Sequence, residues 1–94
     1  TWTYDYPTNT WKKFDIAPTN RQNHAMTYDI AKKKIVLFGG NNGQPNYETW
    51  IYDVNTNTWT NKNPSVAPSA RQGHAMAYDN TNHLVVLFGG GYYN

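Results

Sequence analysis

The chain has 94 residues, of which 38% are hydrophobic and 16% aromatic, a formal net charge of +2 and no cysteine. This composition belongs to an ordinary globular chain rather than a disordered or fibrous one, and it rules out disulfides, thiolate nucleophiles and cysteine metal sites. The small net charge argues against nucleic acid and membrane surfaces as partners, and no run approaches the ~20 apolar residues of a membrane-spanning helix.

In chain order, Thr1–Asp5 and Thr10–Trp11 open the sequence with two short aromatic runs joined by turn residues. His24–Tyr28 reads as a strand ended by Asp29, and Lys32, Lys33 and Lys34 sit at the hairpin tip before the apolar strand Ile35–Phe38. We read these lysines as a solvated tip. Gly39 and Gly40 close that strand, the polar loop Asn41–Glu48 follows, and Trp50–Tyr52 and Thr58–Trp59 form the next hairpin. The series then returns: Trp2, Tyr4, Asp5 and Trp11 recur 48 residues on as Trp50, Tyr52, Asp53 and Trp59. Arg21, His24, Tyr28 and the Val36–Gly40 run recur 50 residues on, from Arg71 to Gly90. Each unit therefore contributes four short strands bounded by turn formers, and no helix-period segment competes.

Successive strand side chains alternate, so the second strand puts Ile35 and Leu37 on one face and Val36 and Phe38 on the other. Both faces call for burial. A four-stranded antiparallel sheet covered on both faces and repeated about every 50 residues is a propeller blade. The double glycine after an apolar strand, the Tyr-Asp pair, the Trp seven residues beyond Tyr52 and the Arg-x-x-His-Ala start resemble the Kelch repeat of galactose oxidase-like propellers. The resemblance covers essentially the whole chain and implies an all-β, Kelch-type β-propeller with two blades' worth of strands.

The strands run third, fourth, first, second, twice over. Residues 1–20 are thus expected to be an outer half-blade, residues 21–59 a complete blade, and residues 60–94 an inner half-blade completed by a neighbouring chain. Each half would leave an unpaired strand edge, a template for another chain. Head-to-tail pairing closes rings, so we expect a homo-oligomer of six blades, a trimer, ahead of eight, a tetramer. A fragment of a longer propeller is the alternative.

The start of the first strand and the loop from second to third strand share one end of the blade. Arg21, Gln22, Arg71 and Gln72 therefore fall beside Asn42, Gln44 and Tyr47, and these seven are the candidate ligand-binding residues. The resemblance implies that such arginines face the channel mouth, where a guanidinium suits an anionic ligand. The other role open to them is structural, bonding loop carbonyls of a neighbouring blade. His24 and His74 are read as structural, since equivalent channel residues stand too far apart to share a metal, and His83 as exposed on a hairpin. Tyr4, Tyr52, Trp11 and Trp59 are read as blade packing. Gly39, Gly40, Gly89 and Gly90 are read as structural, with no Lys-Ser/Thr or helix after them to make a phosphate loop.

The function expected is a non-enzymatic, self-assembling binding scaffold without cofactor or metal. The alternative is a carbohydrate-binding fragment of an exported protein, with a neutral sugar held by Tyr47, Tyr92 and Tyr93. The Asn, Thr and Tyr content suits export, although no acceptor sequon occurs. The copper-radical chemistry of the resembled oxidase uses a cysteine joined to a tyrosine, and the chain has no cysteine.

Overall fold

The computed structural model describes residues 1–92 as eight antiparallel strands with no helix among them. The strands are β1 Trp2–Asp5, β2 Thr10–Lys13, β3 Ala25–Asp29, β4 Lys34–Phe38, β5 Thr49–Asp53, β6 Thr58–Asn61, β7 Ala75–Asp79 and β8 Leu84–Phe88. They form a four-stranded sheet in the order β3-β4-β5-β6, flanked by the two-stranded sheets β1-β2 and β7-β8. The fold is all-β, as the alternating pattern predicts.

Local sequence explains the hairpins. Asp53 accepts the amide of Asn55, and Asp79 accepts those of Thr81 and Asn82, so the aspartate that ends a strand also folds the turn after it. Asn9, Lys33, Asn57 and His83 then take positive φ near +55° to bring the chain back. Asparagine tolerates that conformation better than lysine does.

In the four-stranded sheet the register places Tyr28, Ile35, Tyr52 and Trp59 in one row across the strands, with Met26, Leu37 and Trp50 in another row on the same face. The opposite face carries Ala25, Phe38 and Thr49 in one row and Thr27, Val36, Ile51 and Thr60 in the next. The first face meets the β1-β2 hairpin, where Trp59 Nε1 donates to Thr1 Oγ1 at 2.8 Å. On the second face β7 packs against β3, and the ring of His74 stands edge-on to Phe38 at 5.7 Å.

The buried side chains lie where these layers meet: Leu37, Phe38 and Tyr52 in the complete sheet, and His74 in the hairpin beside it, with Gly39 and Gly40 buried after β4. The second strand of the complete blade is covered as its pattern requires. Its repeat copy, β8, is not: Leu84, Val86 and Phe88 are exposed.

Gly39 shows how close the second layer comes. Its φ is +72°, and a Cβ there would stand 2.7 Å from the Arg71 carbonyl and 2.9 Å from the His74 ring. Any side chain would push the β7-β8 hairpin away.

Candidate functional site

The end of the sheet that carries the start of β3 and the β4-β5 loop is built from backbone outward. Gln22 and Asn41 exchange two amide bonds, Gln22 N to Asn41 O at 3.0 Å and Asn41 N to Gln22 O at 2.8 Å. Gln72 and Gly91 do the same in the second repeat. Between the layers, Gly40 N donates to Arg71 O and Gly73 N to Asn23 O, while the Asn23 amide donates to Gln72 Oε1 at 3.2 Å. The candidate residues of both repeats thus meet at one end of the molecule.

Arg21 is the most enclosed of them, its side chain 3% exposed. Its guanidinium donates to Gly39 O at 3.0 Å, to Thr19 O at 3.2 Å, to Thr19 Oγ1 at 3.3 Å and to Glu48 Oε1 at 3.0 Å. Arg71 repeats three of these bonds, to Ser69 O, Ser69 Oγ and Gly89 O. Among the described residues no carboxylate pairs with it. The two arginines share a structural clamp on the loop before their strand and on the glycine carbonyl, and differ in having or lacking an acidic partner.

Glu48 is the residue that sequence reading passed over. Its Oε1 accepts from Arg21, from Asn46 Nδ2 at 3.2 Å and from Trp50 Nε1 at 3.2 Å, and Asn61 Nδ2 lies 3.5 Å from Oε2. Burial works against its ionisation, but the bonds from Trp50, Arg21 and Asn46 outweigh it and hold its pKa below the ordinary glutamate value. The signal available in sequence was the lone acid of the loop, one residue before β5.

The other candidates sit on the rim. Asn42 donates to Thr19 Oγ1 at 3.0 Å. Tyr47 is 65% exposed and lines a cleft of 290 Å³ with Gln44 and Asn42. Tyr92 is also exposed, whereas Tyr93 lies outside the described residues.

His74 Nε2 meets the Phe38 carbonyl at 2.7 Å, which fixes the proton on that nitrogen and leaves the buried Nδ1 without a partner among the described residues. Its repeat equivalent, His24, is exposed. His83 touches the Tyr78 hydroxyl at 3.2 Å. No three His, Asp or Glu side chains gather into a metal-sized group among the described residues. Tyr4 and Trp11 pack tilted against one another with centroids 5.0 Å apart, and Tyr52 and Trp59 do likewise, so each outer hairpin carries its own aromatic clasp.

At the opposite end of the sheet Lys34 pairs with Asp53 at 3.2 Å, and Asp29 accepts the Lys32 amide at 3.0 Å.

A four-stranded antiparallel sheet flanked by two two-stranded hairpins, with an Arg clamp and a glycine pair in each repeat, defines a β-blade repeat protein. The family model described as the KLHDC2/KLHL20/DRC7 Kelch-repeats domain matches residues 1–94, and the chain belongs to that Kelch-repeat family. No curated protein matches the chain in sequence.

Proposed function

We propose that the chain is a non-enzymatic binding scaffold whose copies join head to tail into one closed propeller. The observation that carries this reading is that the repeat itself names the partner of each free edge. β8 repeats β4, and the strand that pairs with β4 is β5, of which β1 is the other copy. Transferring the β4-β5 register, Leu84 would stand opposite Asp5 of the partner subunit, Val86 opposite the partner's Thr3, and Phe88 opposite the partner's Thr1. A register fixed by two buried faces tolerates no one-residue slip, since that would turn every side chain to the wrong face.

Three further features support the reading. A 370 Å³ cleft lined by Trp2, Tyr4, Met26, Ile35 and Tyr52 lies beside β1, where a partner's inner hairpin would stack. A second cleft of 320 Å³ covers Val36, Ile51, Thr58 and Thr60 on the other face, where a partner's outer hairpin would stack. The packing between layers inside the chain also supplies a template, with the partner's His24 donating to the Phe88 carbonyl as His74 donates to that of Phe38.

Two blades' worth per chain gives six or eight blades, within the usual four to eight; we favour the trimer. The loop end of such a ring is the binding face. An anionic ligand there would meet Arg71 rather than Arg21, which already uses four of its five N–H donors and is paired with Glu48. Light scattering and native mass measurement on the 94-residue chain test the reading: three chains per particle is the expected result, and a stable folded monomer at micromolar concentration overturns it.

A further inference from the structure

The loop of residues 41–48 and the segment of residues 61–67 face one another across the 290 Å³ cleft at the end of the complete blade. Loop residues supply most of its lining, with Thr49 and Asn61 added from the loop-side ends of β5 and β6, so it lies at the end of the sheet and not on a face where blades would stack. Its lining combines three kinds of group: the exposed Tyr47 with Pro45 and Pro64, the side-chain amides of Gln44 and Asn63, and the carboxylate of Glu48.

The charge in this cleft is already balanced. Arg21 neutralises Glu48 from inside the blade at 3.0 Å, and Oε1 is saturated by three donors. Among the described residues Oε2 has only the 3.5 Å approach of Asn61, so it keeps acceptor capacity without a net charge to offer. A free anion would be turned away by that oxygen. A cation would find a carboxylate whose countercharge is fixed beneath it. What remains is a neutral ligand rich in hydroxyl donors, with a flat apolar side for the tyrosine and prolines. The volume lies at the small end of ligand pockets, which begin near about 300 Å³, and so suits one or two rings.

We infer that this cleft binds a neutral sugar, with Tyr47 as the stacking platform and Gln44, Asn63 and Glu48 Oε2 as hydroxyl partners. A single shallow cleft binds weakly, but three or four on one face of a ring would act together on a repeating glycan, since linked sites raise effective concentration without new contacts. This amplification rests on the proposed ring; the single-site binding does not.

Ligand-observed NMR with maltotriose, cellotriose, mannotriose and N-acetyllactosamine, paired with native mass measurement of the same samples, tests both parts. At least one sugar should bind, with affinity unchanged as salt is raised. Tyr47→Ala should weaken binding about tenfold, the loss of one aromatic stack, while Tyr47→Phe keeps it and Gln44→Ala weakens it less. The particle mass should be the same in all three variants. Binding of none of the four sugars, binding that survives Tyr47→Ala, or binding that collapses with salt overturns the inference. An intact ring without sugar binding leaves the scaffold standing and removes the site, whereas a monomer that still binds sugar does the reverse.

Discussion

Phe38 and Phe88 occupy the same place in the repeat, follow the same Val-Leu pair and precede the same two glycines, yet Phe38 is 4% exposed and Phe88 83%. Gly39 and Gly89 divide the same way. A Cβ on the first would strike the neighbouring hairpin, and one on the second meets nothing within 4 Å. The residues do not differ, only their neighbours: β4 has β5 on its edge and β7 against its sheet, and among the described residues β8 has no counterpart of either. Burying a phenylalanine is worth about 1.5–3 kcal/mol, so the exposed Phe88 leaves unrealised a stabilisation that Phe38 already has.

The broadest way to break the comparison is to delete residues 1–13. If β1 and β2 complete a partner's blade, their loss removes the strand that β8 requires, and assembly should vanish in light scattering with aggregation in its place. The complete blade should keep its β-sheet circular dichroism signal. A deletion variant that forms the same particle as the parent would show that the edges are satisfied some other way.

Next in size is the phenylalanine pair. Phe38→Ala should cost about 3–5 kcal/mol, the range for emptying an aromatic site in a core, and should lower the denaturation midpoint at every protein concentration. Phe88→Ala should leave the dilute chain almost unchanged and weaken only the association. Measuring denaturation midpoints over a range of concentrations separates the two, and equal effects in dilute solution would mean that Phe88 packs within its own chain.

How far these differences could be read in the sequence depends on what decides them. Strand alternation and turn chemistry are local, so the hairpins from His24 to Phe38 and from Trp50 to Trp59 were legible, with bounds within two residues of those found. The all-β class followed. The clamp was not legible, because Arg21 and Glu48 are 27 residues apart and meet only when the β4-β5 loop folds over the start of β3. Sequence offered Arg21 two roles and no means of choosing, while Glu48 looked like one polar residue of a polar loop.

That clamp gives the third contrast. Arg21→Ala strips Glu48 of its guanidinium and Gly39 of a donor, and should destabilise by about 1–3 kcal/mol, as when an enclosed acceptor is left unmatched. Arg71→Ala, with no acidic partner among the described residues, should cost less. Acid sharpens the test. The pKa of Glu48 is lowered by folding, so its share of stability is present at neutral pH and is lost as pH falls below the ordinary glutamate range of about 4.3 through the folded value. Asp53 and Asp79 are lowered too, chiefly by turn hydrogen bonds, so acid weakens the whole chain. The portion belonging to the clamp is the part of that loss that Glu48→Gln removes, and an unchanged acid profile in this variant would dissociate Glu48 from it.

The smallest expected effect tests the register most directly. In the complete blade Lys34 stands opposite Asp53 and pairs with it at 3.2 Å, both side chains partly exposed. In the repeat copies β1 and β8 the aspartate is kept as Asp5, but the lysine position is Leu84. If β8 pairs with a partner's β1 in the β4-β5 register, Leu84→Lys places an ammonium opposite that Asp5 and rebuilds the ion pair across the seam. An exposed pair of this kind is worth about 0.2–1 kcal/mol, and removing the leucine sacrifices apolar packing of similar worth, so the net change in affinity can be close to zero. The coupling is what carries the information. A double-mutant cycle of Leu84→Lys with Asp5→Asn, read as the dissociation constant of the assembly, should show a favourable interaction that shrinks as salt is raised. A slip of one or two residues puts Leu84 opposite Thr3, Tyr4, Tyr6 or Pro7, none of which carries a carboxylate. A coupling of zero at low salt in particles of unchanged mass would therefore rule out this register while leaving the ring itself intact.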